Sequence, residues 1–300
     1  VGPFLAATFG FSTFFKAINA GFDQFPQGAD ADLPTWLMWF VNLPEPEFTK
    51  GKMCIASKTF IRDKIKFFVY KILTLFVLLT MLKIIHEAAD NNKEPHHHHQ
   101  IPEWLLSVHI LGYLHIWLIY LYASFCLDFS SLSTIATTGG MRTEPGFRNP
   151  LLQSRCFTDL WGVRWDLPVH LLLKRTVYIP ARKHGFNRSV SAILTFFVSG
   201  LLHEYNFSIH NRLAYEPIKA TVFFLLMGLL MLGEKWAWEH VFPHRVQQVV
   251  DGFLPSVVIS LVLTFLVSGT FEHFFIRSWL KSGFLDAAGE MLPYLSCTYD

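Results

Sequence analysis

The residues best placed to do chemistry are in Ser199-Gly200-Leu201-Leu202-His203-Glu204-Tyr205, where an ionisable pair follows an apolar run. An ionisable side chain at membrane depth is expensive and is by default a functional candidate. Histidine exchanges a proton near neutral pH, so His203 is a candidate general base. Position alone fits equally an interfacial ring bonded to a neighbouring helix. The pair also begins a metalloprotease HExxH pattern, which fails because position 207 is Phe207 and the next histidine is His210. A second constellation is Phe157-Thr158-Asp159-Leu160-Trp161-Gly162-Val163-Arg164-Trp165-Asp166, with Arg175 and Tyr178 following. Two tryptophans around an arginine, beside a carboxylate, suit either a binding surface or an interfacial anchor.

Metal and disulfide chemistry find little support. Cys54, Cys126, Cys156 and Cys297 are scattered without a CxxC or a paired spacing, so neither a disulfide framework nor a zinc site is expected. The tract His96 to His99, beside Pro95, reads as a solvated loop tip because neighbouring histidines cannot all face one ion.

The elements that must position these residues are membrane helices. Of the 300 residues, 52% are hydrophobic and only 16% charged, against about 25% charged in a soluble domain; the mean hydropathy is +0.33. Apolar runs near the length a bilayer requires are Phe67–Leu82, Leu105–Leu127, Ala220–Gly233 and Leu254–Thr270. Ser189–Leu202 and Phe4–Phe15 are shorter, and Trp36–Val41 is marginal. The expectation is an all-α, polytopic protein of five spans and up to two more, forming a single domain over residues 1–300. The chain begins at Val1 without a signal peptide, which reads as a trimmed chain lacking an upstream helix.

Charge gives the chain a direction. A net charge of +2 points to no nucleic-acid partner. Six basic residues lie between Lys50 and Lys66 and nine between Asp128 and Ser189, whereas Glu87–Glu103 holds four acids and one lysine. By the positive-inside rule both basic stretches are cytosolic and the acidic loop faces the other side. Thr137–Arg188 is broken by prolines and glycines, and within it Leu151–Tyr178 mixes aromatic and basic residues at roughly helical spacing. It is expected to be a cytosolic segment that lies on the membrane surface or re-enters it.

Together the two constellations resemble the membrane-bound O-acyltransferase superfamily, and within it the wax synthase branch. That branch carries a stretch like Pro-Leu-x-Ser-x-Ser-Leu-x-Asp-Phe-Trp-Gly-Arg-Arg-Trp-Asn, then a helix ending Ser-Gly-x-x-His-Glu. Pro150, Leu151, Ser154, Asp159, Trp161, Gly162, Arg164 and Trp165 match the first part, and Ser199, Gly200, His203 and Glu204 the second. Leu160, Val163 and Asp166 depart from it, Asp166 standing where asparagine is one of two signature polar residues. The resemblance implies a helical bundle in the endoplasmic reticulum membrane that moves a fatty acyl group from acyl-CoA to a long-chain fatty alcohol, forming a wax ester. Diacylglycerol, a sterol or a small alcohol is the alternative acceptor, and a membrane carrier or scaffold the alternative of another class. It implies His203 and Asp166 as catalytic residues and Trp161, Arg164, Trp165, Arg175 and Glu204 as substrate-binding ones. No metal and no cofactor beyond acyl-CoA as co-substrate is expected.

Overall fold

The computed structural model describes residues 2–91, 107–210, 216–241 and 255–276. The chain runs through α1 (Gly2–Gly21), α2 (Leu33–Val41), a short hairpin of β1 (Phe48–Thr49) and β2 (Lys52–Met53), α3 (Lys58–Asn91) and α4 (Val108–Thr137). Then come α5 (Pro150–Gln153), α6 (Phe157–Asp159), α7 (Leu167–Leu173), α8 (Ile179–Lys183), α9 (Arg188–His210), α10 (Lys219–His240) and α11 (Ser256–Phe271). Wider π-turns occupy Leu160–Arg164, Lys174–Tyr178 and Glu272–Ile276.

Four helices among the described residues are long and apolar enough to cross a bilayer: α3, α4, α10, and α11 with its terminal π-turn. The protein is an all-α integral membrane protein, and these four helices carry the runs read from sequence as Phe67–Leu82, Leu105–Leu127, Ala220–Gly233 and Leu254–Thr270. α2 has nine residues, about 13 Å of helix against a hydrocarbon core of about 30 Å. α1 and α9 have 20 and 23 residues. Both give polar side chains to the protein interior, Ser12, Lys16 and Asn19 on α1 and Ser199, Glu204 and Asn206 on α9. Lys16, Asn19 and Glu204 meet groups of neighbouring elements, and Ser199 and Asn206 line cavities, so these runs read as less apolar than one immersed in lipid.

α3 and α4 form an antiparallel pair. At one end Phe68 stacks on Phe125, with ring centroids 5.2 Å apart, and Lys71 pairs with Asp128; at the other His86 faces His115. α11 packs on α4 where Gly112 lies against the backbone of Ser268, and a Cβ on Gly112 would come within 2.2 Å of that carbonyl oxygen. Such small-residue contacts let membrane helices approach closely.

The two basic stretches meet at one end of the α3–α4 pair. The amide of Ala56 donates to the Gly140 carbonyl at 2.7 Å, and that of Arg142 to the Cys54 carbonyl at 2.9 Å. The acidic loop is joined to the opposite ends of α3 and α4; residues 92–106, with His96 to His99, lie outside the described residues, as does Cys297.

The segment 137–188 is a chain of short helices. Pro150, Pro168 and Pro180 each sit in the first two positions of a helix, α5, α7 and α8. Proline's fixed φ and missing N–H favour that position and no other in a helix, so the prolines cut the segment into its pieces. The pieces are wedged into the bundle. The Ser154 amide donates to Ser260 Oγ on α11 at 3.3 Å, the Phe157 amide donates to Glu234 Oε2 on α10 at 2.8 Å, and Leu151, Phe157 and Leu160 join the main core with Phe223 and Met227.

Candidate active site

His203 lies on α9, which continues to His210, so the histidine is inside the helix and not at its end as the sequence suggested. The helix persists because Asn206 and Phe207, beyond it, turn inward and are buried. Gly200 permits the contact that sets this region's geometry: a Cβ there would meet Thr221 Cα on α10 at 2.5 Å. At the same crossing Glu204 is buried and its carboxylate accepts the Thr221 N–H at 3.0 Å, in the first turn of α10. An anion at a helix N-terminus is stabilised by the unpaired amides there.

The His203 ring is held on two sides. Its Nδ1 is 2.8 Å from the Ser199 carbonyl. A carbonyl only accepts, so Nδ1 carries the proton and Nε2 keeps its lone pair. The ring stacks on Phe224, with centroids 4.3 Å apart, and meets Phe275 at 5.4 Å.

Asp166 links the π-turn after α6 to α7, with φ 40° and ψ 63°. This left-handed conformation is costly for most side chains, but Asp and Asn visit it readily. That gives a backbone reason for a residue of this shape where the motif carries asparagine. Burial pushes the Asp166 carboxyl up to about 6, against a smaller downward pull from the Val169 backbone N–H.

His203 and Asp166 both line two cavities, with Trp161, Trp165, Val169 and Phe224 shared between them. The first, about 190 Å³, runs between α4 and α9 past Tyr122, Cys126, Leu127 and Phe147, and is almost wholly apolar. The second, about 370 Å³, runs past Thr158, His170, Lys174, Tyr178 and Ser199 and has a more polar wall. Two chambers thus meet at one imidazole and one carboxyl. Trp161 Nε1 is buried there without a hydrogen-bond partner.

The remaining sequence-derived candidates are placed elsewhere. Arg164 fastens the motif segment, with Nε on Asp159 Oδ2 at 2.8 Å and Nη1 on the Arg148 carbonyl at 2.9 Å. Arg175 grips the buried Glu45 through both carboxylate oxygens at 2.7 and 2.8 Å, beside a separate polar cavity. Arg164, Arg175 and Glu204 line neither chamber at His203. Sequence reading passed over Asn206, which lines the apolar chamber. The available signal was its spacing, three residues after His203 and therefore on the same helical face. Among the described residues no group of three or more His, Cys, Asp or Glu is arranged to hold a metal.

Residues 144–226 match the membrane bound O-acyl transferase family. The chain is 31% identical to Probable long-chain-alcohol O-fatty-acyltransferase 1 of Arabidopsis thaliana over 249 residues, 71% of this chain and 68% of that protein. It is 30% identical to Acyl-CoA--sterol O-acyltransferase 1 of the same plant over 158 residues, covering 47% and 44% of the two chains. With Diacylglycerol O-acyltransferase 1-1 of Oryza sativa subsp. japonica it shares 25% identity over 118 residues, 39% and 20%.

Proposed function

Because the chain belongs to the membrane bound O-acyl transferase family, acyl-CoA-dependent O-acyltransferases, we propose that it esterifies a long-chain fatty alcohol, with His203 as general base and Asp166 as its partner. The observation that carries this reading is the pinned tautomer of His203, whose lone-pair nitrogen Nε2 belongs to a ring at the junction of two chambers. An alcohol is a weak nucleophile at neutral pH and needs a base to take its proton as it attacks.

The reaction balances with the groups at hand. The alcohol's proton passes to Nε2 while its oxygen adds to the thioester carbonyl. The tetrahedral intermediate collapses by breaking the carbon–sulfur bond, and the coenzyme A thiolate recovers the proton from the imidazolium. The transient oxyanion needs a donor. The Asp166 carboxyl, which burial raises to about 6 so that it donates when protonated, and the unpartnered Trp161 indole N–H are donors at the junction. Acyl-CoA carries phosphates and enters through the chamber with Lys174, and the hydrophobic acceptor fills the apolar one. No resident cofactor is required. Arg164, Arg175 and Glu204 act through the fold, as fasteners of the segment that holds Asp166 and of the α9–α10 crossing. In this reading 137–188 faces the cytosol, the protein sits in the endoplasmic reticulum membrane, and its partners are acyl-CoA, the alcohol and membrane lipids.

Sterol and diacylglycerol are the second choice of acceptor, since relatives named for those substrates are also similar to this chain. Membranes containing the protein, given labelled acyl-CoA with a fatty alcohol, a sterol or diacylglycerol, decide between them. Labelled wax ester is the expected product; label in the sterol ester or triacylglycerol alone assigns the other acceptor, and no ester in any arm overturns the reading.

A further inference from the structure

We infer that Asn206 is an acceptor-binding residue, whose carboxamide holds the alcohol's hydroxyl against His203. The inference rests on the function proposed above. Asn206 is 7% exposed, it lines the apolar chamber, and its Oδ1 is buried without a hydrogen-bond partner. Buried polar atoms are nearly always paired, and an orphan in a native interior calls for an explanation. Here the explanation is a ligand group that the chain itself does not supply.

The surroundings narrow which ligand. Asn206 faces the apolar chamber and is absent from the wall of the chamber with Lys174, while His203 belongs to both. The molecule in the apolar chamber is therefore the one that meets both side chains. Tyr122, a further polar residue of that chamber, has its hydroxyl engaged with Cys126. A long apolar molecule with one polar end finds hydrogen-bonding partners at the His203–Asn206–Asp166 corner and aromatic or aliphatic walls beyond it. A primary alcohol has that form.

The carboxamide is also chemically suited. It offers a donor and an acceptor, and a half-turn about χ2 exchanges them. An entering hydroxyl can donate to Oδ1; once its proton is directed at Nε2 of His203, its oxygen can accept from Nδ2. Asn206 thus lines up the hydroxyl before attack.

The test exploits a cost that a structural residue would not carry. An unpaired buried polar atom is destabilising, and replacing it with an apolar group of similar size is neutral or stabilising. In Asn206→Leu, melting temperature should hold or rise while KM for hexadecanol rises about tenfold, the loss expected for one buried hydrogen bond to substrate. KM for acyl-CoA should stay within about twofold of wild type, since that substrate's polar end is bound elsewhere. A fall in melting temperature with both KM values altered, or failure of the variant to fold, makes Asn206 a structural residue and overturns the proposal. An unchanged KM for hexadecanol in a folded variant overturns it as well. Wild type and His203→Ala run alongside separate the two readings. If wild type makes ester, His203→Ala makes none and Asn206→Leu behaves as wild type, only the role of Asn206 falls; if wild type makes no ester, the proposed function falls with it.

Discussion

Two histidines on the apolar helices of this protein, His115 and His203, look alike in sequence and differ in the structure. His115 on α4 is 0% exposed, with Nδ1 on Glu272 Oε2 at 2.8 Å and Nε2 facing Nε2 of His86 at 3.5 Å. An imidazole held by a carboxylate is half of a catalytic constellation. Yet both ring nitrogens of His115 are occupied by the protein, and the residue lines neither of the chambers that meet at His203. His203 is held through one nitrogen only, by a backbone carbonyl, and its ring opens on both chambers. A buried histidine becomes a candidate for chemistry when one nitrogen is fixed and the other faces space that a substrate can fill. With both nitrogens engaged it is a strut between α3, α4 and the π-turn after α11.

The comparison makes the largest prediction at His203. His203→Ala should lower ester formation by about 10²- to 10⁴-fold, the usual contribution of a general base, with the amount of protein in the membrane nearly unchanged. An alanine variant retaining half of wild-type turnover in the labelled acyl-CoA assay places the base elsewhere.

Asp166 should come next, because its role is tied to its protonation state. Asp166→Ala removes the side chain and should cost about 10²-fold, the scale of a lost oxyanion donor. Asp166→Asn keeps a donor at every pH. Since burial raises the Asp166 carboxyl to about 6, the wild type holds its proton below that value and loses it above. The rate of the asparagine variant relative to wild type should therefore climb as pH is raised from about 5 to about 7.5. The same shift makes burial of Asp166 costlier as pH rises from its unfolded value to about 6, so Asp166→Asn should also be the more stable protein at neutral pH. A pH-independent ratio of rates, or full activity in Asp166→Ala, removes this carboxyl from the chemistry.

At His115 the expected effect is on stability. His115→Ala leaves Glu272 buried and unpaired, a loss on the order of 3 kcal/mol, visible as a lower melting temperature in detergent. Turnover per folded molecule at a permissive temperature should stay within about twofold, because no nitrogen of His115 reaches the substrate chambers. Loss of turnover as severe as that of His203→Ala, in protein of unchanged stability, would break the contrast between the two histidines.

A membrane protein of apolar helices was legible from the runs Phe67–Leu82 and Ala220–Gly233 alone, because hydropathy over a span is a local property of the chain. The family was legible from the motif around Asp159, Trp161 and Trp165 and from Ser199 to Glu204, since a site of fixed chemistry keeps its residue types at fixed spacings. The shorter runs Phe4–Phe15 and Ser189–Leu202 fall on α1 and α9, which are not among the described helices long and apolar enough to span a bilayer. Hydropathy does not say whether an apolar run is exposed over much of its surface, as α3 is, or turns polar groups to a neighbour or a cavity, as α1 and α9 do.

Tertiary structure alone decided which of the polar residues share a cavity. Asp166 and His203 are thirty-seven residues apart in the chain and come to one junction because Gly200 lets α9 press on α10 and three prolines divide the segment before it. Arg164 and Glu204 stand beside them in the motif, but their charges are met by Asp159 and by the amide of Thr221. Spacing in sequence gives a residue its face on a helix; what that face meets depends on elements packed against it from elsewhere in the chain. For this reason Asn206, uninformative as a letter in the sequence, becomes a candidate contact for the substrate once its unpaired oxygen is seen beside an apolar chamber.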